Sequence, residues 1–380
     1  MRKIVFVTGT RADFGKLKSL IDITSKSSNF EVFIFCTGMH LQVKYGYTVD
    51  EIKKGGYKNV FEFINSTNES SMDNTLAKTI LGFSDYIKNM KPHLIVVHGD
   101  RVEALAGATV GSLNNILVSH IEGGELSGTI DDSIRHAVTK MSHIHFVSNL
   151  EAKNRVLQLG EKSDSIIIIG SPDIDILKSK KLKSLEEVKR RYEITFKKNY
   201  AISIFHPVTT DIEKLGENIH QYVNALLKSK QNYIVVLPNN DMGSSIIFQE
   251  LNRLKDHANF KLFPSIRFEY FIVLLKNADF IIGNSSCGII EAPVFGVPTI
   301  NVGNRQNKRT KNQNIIHLKV ITEDELCKHI EKAKKLDIQP MDIFGSGDSN
   351  KKFLAAIENP AFWDINVQKE FQETIYNNEA

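Results

Sequence analysis

Short, almost uninterrupted runs of β-branched and apolar residues recur along this chain, and they constrain its fold more than any other feature. They are Ile4 to Val7, Val32 to Phe35, Leu94 to Val97, Ile116 to Val118, Ile144 to Val147, Ile166 to Ile169, Ala201 to Phe205, Tyr233 to Leu237, Phe280 to Ile282 and Thr299 to Val302. An alternating pattern would mark strands with one wet face; continuous runs of this length mark strands covered on both faces, as in parallel sheets. Between the runs lie helical stripes: Phe14, Leu17, Leu20, Ile21; Leu76, Ile80, Phe83, Ile87; Leu215, Ile219, Tyr222, Leu226; and Phe268, Phe271, Ile272, Leu275. At this spacing they are core faces of helices. Regular strand–helix alternation predicts an α/β protein with parallel sheets.

Ten runs are many for one doubly wound sheet. The rhythm breaks after Gly170-Ser171-Pro172, and a Lys- and Glu-rich stretch follows from Leu177 to Lys198. The expected organisation is therefore two Rossmann-like domains, 1–175 and 176–380. Lys and Arg number 48 against 44 Asp and Glu, interspersed, for a net charge of +4. No nucleic-acid partner is expected from that balance, although a local basic pocket for an anion is allowed. Cys36, Cys287 and Cys327 lie far apart in no metal-ligand spacing, which fits a reducing cytoplasm without structural disulfides or zinc. No apolar run approaches the roughly 18 residues of a membrane span, so no membrane insertion is expected.

Ligands of open parallel sheets sit at the carboxyl ends of strands, so the residues following each run carry the information. These are Thr8-Gly9-Thr10-Arg11-Ala12-Asp13, Thr37-Gly38-Met39-His40, His98-Gly99-Asp100-Arg101 and the segment from His120 through Glu122 and Asp131 to His136. The second half contributes His206-Pro207-Val208-Thr209-Thr210-Asp211, Pro238-Asn239-Asn240-Asp241, Gly283-Asn284-Ser285-Ser286-Cys287-Gly288 and Gly303-Asn304-Arg305. Neither G-x-G-x-x-G after the first strand nor G-x-x-x-x-G-K-[ST] occurs, which disfavours a dinucleotide dehydrogenase and a P-loop NTPase.

The Gly283–Gly288 turn follows a strand and is expected to open a helix through Ile289, Ile290 and Glu291, which suits phosphate; the equal alternative is that Ser285 or Ser286 serves only as that helix's N-cap. Arg11, Arg101 and Arg305 at three strand ends favour a diphosphate, against the alternative that each pairs with a nearby carboxylate such as Asp13 or Glu103. Asp100, Glu122 and Asp131 follow first-half strands, and carboxylates gathered in a cleft are the groups that general acid/base work on a sugar requires. The alternative for each taken singly is that Asp131 or Asp132 caps the helix running from Ser133 and that Asp100 pairs with Arg101. Nothing in the spacing requires a metal, and no cofactor is expected. Among the histidines, His40 and His206 are the expected contacts; His98, His120, His136, His143 and His145 are expected to pack.

These segments resemble the hydrolysing UDP-N-acetylglucosamine 2-epimerases of sialic-acid biosynthesis. The resemblance rests on Thr8-Gly-Thr-Arg-Ala-Asp, His98-Gly-Asp-Arg, the long segment from His120 to His136, Gly170-Ser-Pro-Asp, His206-Pro-Val-Thr-Thr-Asp and Gly283-Asn-Ser-Ser-Cys-Gly, in the family's order. It implies a glycosyltransferase-B type fold with the active site between two domains. The implied reaction converts UDP-N-acetylglucosamine and water to N-acetylmannosamine and UDP, through a 2-acetamidoglucal. Asp100, Glu122 and Asp131 match the family's acids and bases, with no role assigned to each. Arg11, Arg101, His206, Asn239, Ser285, Ser286, Glu291 and Arg305 match its nucleotide contacts, Glu291 suiting the ribose diol.

Animal members add a kinase, for which 380 residues leave no room, and carry a feedback lysine where Ser245 stands here. A free-standing, homo-oligomeric enzyme serving a capsule or other surface polysaccharide is expected. The same chemistry on UDP-2,4-diacetamido-2,4,6-trideoxyhexose, a sugar transferase of the same fold, and a silent nucleotide-sugar sensor are the alternatives.

Overall fold

The computed structural model describes residues 1–373 except 67–70, 128, 180–181, 197–198, 209–211, 240, 307–314 and 342–343. Thr209, Thr210, Asp211 and Asn240 of the loops named above thus lie outside the described residues. Thirteen strands are present among the described residues: β1 Arg2–Thr8, β2 Phe30–Cys36, β3 Val60–Glu62, β4 Leu94–His98, β5 Leu117–Ile121, β6 Ile144–Val147, β7 Ile166–Ile168, β8 Tyr200–Ile204, β9 Asn232–Val236, β10 Phe260–Phe263, β11 Ile281–Gly283, β12 Thr299–Val302 and β13 Ile315–Leu318.

They form two parallel sheets, ordered β3-β2-β1-β4-β5-β6-β7 and β10-β9-β8-β11-β12-β13. All ten runs read from the sequence coincide with strands. The three strands it missed, β3, β10 and β13, are all at sheet edges. Only one face and one side of an edge strand are covered, so Glu62, Lys261 and His317 interrupt the apolar signal there.

Both strand orders reverse once, between β1 and β4 in the first sheet and between β8 and β11 in the second. At such a reversal the connecting helices leave in opposite directions, opening a crevice above the strand ends. The two crevices face each other. Where the domains meet, the helix Arg11–Thr24 passes close to the helix Phe268–Lys276, and a Cβ on Gly15 would lie 2.5 Å from the Phe268 Cβ. Gly283 ends β11 at φ +135°, where a Cβ would stand 1.8 Å from the Ile204 carbonyl oxygen. Glycine is therefore required at the point where the chain turns from the second sheet into the cleft.

The expected partition at residue 175 does not describe the C-terminus. The helix Ser349–Glu358 returns to the first domain, where Phe353 and Ile357 join Ile4, Phe6 and Phe146 in one core. Phe362 and Trp363 follow, Trp363 stacking on Phe30 at 6.1 Å. Nor does the helix Pro172–Leu177 belong wholly to one side, because Ile174, Ile176 and Leu177 pack in the core of the second sheet. Composition marked where strands stop and resume, but which core a later amphipathic helix covers is a tertiary choice.

Candidate active site

A cleft of about 250 Å³ lies between the facing strand ends, and the eleven residues matched above to the family's acids, bases and nucleotide contacts all line it. Asp100, Arg101 and Arg11 come from the β4 and β1 ends, Glu122 from the β5 end and Asp131 from the first turn of the helix Ile130–Met141. His206, Asn239, Ser285, Ser286, Glu291 and Arg305 line it from the second domain.

Each of the three carboxylates faces its own cation. Asp100 pairs with Arg135. Asp131 pairs with Arg305 across the domains, Oδ2 to NH2 3.1 Å, and does not cap its helix; Thr129 does. Asp132 instead accepts from the Ser127 backbone N–H at 2.8 Å. Arg135, 1% exposed, also donates to the Glu125 carbonyl and the Ser127 hydroxyl, so one guanidinium shapes the loop and holds Asp100. Burial, the largest influence on Asp131, raises its pKa; Arg305 pulls the other way, and nearby Asp100 and Asp241 add to the rise, leaving it above the ordinary carboxylate value.

Glu122 is held by a cluster that sequence reasoning passed over. Its Oε2 lies 3.2 Å from His98 Nε2 and 3.9 Å from Lys16 Nζ, while Oε1 accepts a hydrogen bond from the Ser171 hydroxyl at 2.5 Å. His98 Nδ1 in turn is 2.8 Å from Asp13 Oδ1. An imidazole between two carboxylates favours its protonated form. Burial, the strongest single effect, opposes the charge, but Glu122 and Asp13 outweigh it and push His98 up to about 10. Burial likewise works to raise Glu122 and is overruled by Lys16, His98 and Ser171, so its carboxyl is held well below the ordinary range.

Lys16 is shared further, 2.7 Å from Asp173 and 3.7 Å from Glu291. Three carboxyls around one ammonium cannot all be fully compensated. Burial first, then Glu291 and Glu122 against the pull of Lys16, drive Asp173 well above its ordinary value. Lys16 itself keeps its proton: burial disfavours the charge, and Asp173, Glu122 and Glu291 more than restore it.

The expectation that His98 only packs is thus corrected, as is the expectation that His40 makes contact. His40 is fully buried between the Thr8 and Thr48 hydroxyls, away from the cleft, and burial lowers it to about 3. His120 is equally internal, bonded to Thr139 and the Gly99 carbonyl. A signal for His98 was present, since it stands at a strand end beside Gly99, but its partners Asp13 and Glu122 lie 85 and 24 positions away.

On the nucleotide-facing side, His206 Nδ1 accepts from the Asn239 backbone N–H at 3.2 Å, placing the ring proton on Nε2. Burial, with Arg305 and Arg101 adding to it, holds this imidazole well below its ordinary value and hence neutral. Arg101 pairs with Glu103 at 3.1 Å. Arg11 pairs with Glu51 rather than Asp13, and donates to Ser265 of the second domain at 2.7 Å.

The Gly283 turn corrects one expectation. Only a 3₁₀ turn, Ser286–Gly288, and a single helical turn, Glu291–Val294, follow it, and neither serine side chain caps. The backbone dipole there is small, leaving the two hydroxyls as the groups turned to the cleft. Glu291 is 1% exposed, and its Oε2 has no hydrogen-bond partner among the described residues.

A family model described as UDP-N-acetylglucosamine 2-epimerase matches residues 23–358. The chain belongs to that family. A UDP-N-acetylglucosamine 2-epimerase of Neisseria meningitidis is 46% identical over 98% of this chain and 99% of its own length. A Legionella pneumophila protein named as a hydrolyzing UDP-N,N'-diacetylbacillosamine 2-epimerase is 33% identical over 93% and 94%, and an Escherichia coli polysialic acid biosynthesis protein is 33% identical over 84% and 83%. Among solved structures, the Methanocaldococcus jannaschii UDP-GlcNAc 2-epimerase with UDP-GlcNAc and UDP superposes with a TM-score of 0.79 at 20% identity, over 94% of this chain and 99% of that one. That agreement is one of fold: two parallel-sheet α/β domains about a cleft.

Proposed function

We propose that this chain is the hydrolysing type of 2-epimerase, a cytoplasmic homo-oligomer that converts UDP-N-acetylglucosamine and water to N-acetylmannosamine and UDP for sialic-acid synthesis. The observation that carries this reading is the trio Asp100, Glu122 and Asp131 in one cleft, each beside a cation, with Glu122 held well below and Asp131 raised above the ordinary carboxylate value. Elimination needs a base for the C-2 proton and a site for the departing diphosphate, and addition of water then needs a proton donor and a base. Departure of UDP builds positive charge at C-1, which makes the C-2 proton removable by a carboxylate.

Glu122, kept ionised by Lys16 and His98, suits the base. Asp131, raised by burial and by its acidic neighbours, suits the group that carries a proton, and Asp100 adds a second carboxylate for the hydration step. Arg11, Arg101, Arg305, neutral His206 and the Ser285 and Ser286 hydroxyls supply donors for the diphosphate and base. The unpaired Glu291 Oε2 matches the two hydroxyls of a ribose, and Asn239 stands beside His206. The chemistry uses only carboxylates, cations and water, and no cofactor enters it.

The test is incubation with UDP-N-acetylglucosamine in deuterium oxide, followed by proton NMR. Free N-acetylmannosamine deuterated at C-2, with UDP, is expected. UDP-N-acetylmannosamine in place of free sugar would make the enzyme non-hydrolysing, and turnover only of the 4-acetamido, 6-deoxy analogue would change the substrate. Amide replacement of Asp100, Glu122 or Asp131 is each expected to cut turnover at least about 100-fold while UDP still binds.

A further inference from the structure

Glu122 adopts φ +64°, the left-handed region that a glutamate rarely enters. Such a backbone persists only where the surroundings over-determine it, so what anchors its side chain matters. Two anchors, His98 and Lys16, are cations from the end of the first domain's β4 and from its first helix. The third differs in kind. Ser171 is 1% exposed and uncharged, and it sits in the segment by which the chain leaves the first domain after β7.

That segment meets the returning chain at the same residue. The Ser171 backbone N–H donates to the Phe344 carbonyl at 2.7 Å. Gly170 and Gly345 lie backbone against backbone: a Cβ on Gly345 would be 3.0 Å from the Gly170 Cα, and one on Gly170 would be 3.3 Å from the Gly345 Cα. Just beyond, the Asp175 carboxylate accepts from the Ser349 N–H at 2.8 Å, the Ser349 hydroxyl at 2.7 Å and the Asn350 N–H at 2.9 Å. Outgoing and returning crossings are therefore pinned together at one junction, and the hydroxyl at that junction is the one on Glu122 Oε1.

We propose that Ser171 is a positioning residue for Glu122, coupling the junction of the two interdomain crossings to the orientation of that carboxylate. The hydroxyl occupies Oε1 and leaves Oε2 toward His98 and Lys16, which selects one rotation of the carboxylate without adding charge. Any change in the angle between the domains must bend the chain at these crossings, and Ser171 delivers that change to Glu122. The inference rests on the reading of Glu122 as catalytic.

The test compares Ser171→Ala, Ser171→Thr and Glu122→Gln on UDP-N-acetylglucosamine, with UDP binding by calorimetry and thermal melting in parallel. Loss of one hydrogen bond to a charged, oriented group predicts a kcat about 10- to 100-fold lower for Ser171→Ala. Its UDP dissociation constant is expected within about twofold of wild type, and Ser171→Thr, which keeps the hydroxyl, should recover most of the kcat. The inference is overturned if Ser171→Ala keeps more than about a third of the wild-type kcat while Glu122→Gln is inactive. It is equally overturned if the alanine variant loses UDP affinity in step with kcat or fails to fold, or if the threonine variant is no better than alanine. An active Glu122→Gln would instead remove the catalytic reading of Glu122 itself, a result distinct from the others.

Discussion

Replacing Lys16 by methionine keeps the length of the side chain and removes the one ammonium that Asp173, Glu122 and Glu291 share. At 3.7 Å from Glu291 and 3.9 Å from Glu122 the attraction between unit charges is about 4 kcal/mol each at an effective dielectric constant of about 20, while Asp173, at 2.7 Å with its pKa driven up, adds chiefly a hydrogen-bonded contact. Much of that gain is offset by the cost of burying the ammonium, so the expected loss is the roughly 3–5 kcal/mol typical of breaking a buried pair from one side. The loss should depend on pH in a definite direction. Without Lys16 the Glu122 carboxyl loses the strongest of the interactions that hold it low and its folded-state pKa rises, and Asp173, already raised in the wild type, rises further, so the variant gains stability as pH falls from 7 toward 5 by taking up protons. Wild-type Glu122, held low, contributes stability above its unfolded pKa and begins to lose it on the way down. The gap between the proteins should therefore narrow, by about 1–2 kcal/mol between pH 7 and pH 5.

Urea unfolding followed by the fluorescence of Trp363, the chain's single tryptophan, reads this out from the domain concerned, because Trp363 packs on Phe30 of the first sheet. A variant within about 1 kcal/mol of wild type at pH 7, or a gap unchanged at pH 5, would refute the account of Lys16 as the shared counter-ion.

Two further outcomes follow from the same geometry. His98→Gln should destabilise the protein by about 2–4 kcal/mol near pH 6; because His98 is raised to about 10, its contribution is complete below about 6.5 and is lost toward pH 10, so urea midpoints of wild type and variant should converge on the alkaline side. Phe353→Ala removes a fully buried ring lying 4.8 Å from Phe146 and 6.3 Å from Phe6, and should lower stability of the first domain by about 3–5 kcal/mol in the same fluorescence assay. An effect confined to the second domain would contradict the packing of the last helix.

Much of the site could be read from the chain because of where parallel sheets put their loops. Asp100, Glu122 and Arg101 each follow a run that only a doubly covered strand produces, and Arg305 follows another, so their convergence at one rim was expected. His98, Lys16 and Asp173 were not legible in the same way. His98 ends its strand as one more residue of an apolar run, Lys16 occupies a helix position where lysine usually reaches water, and Asp173 reads as an acidic residue in a first helical turn.

The burial of both sheet faces leaves a local trace, and from that trace alone the chain determines its α/β class, its parallel strands and the loops that carry polar groups. Tertiary structure decided which charges meet. Asp131 finds Arg305 174 residues on, Lys16 finds Glu291, and the helix Ser349–Glu358 leaves the second domain to complete the core of the first. Periodicity records whether a residue is covered, since that depends on its neighbours one turn or two residues away. It does not record by what, because ion pairing and inter-domain packing are set by strand order and by the angle at which two sheets face, which no local spacing encodes.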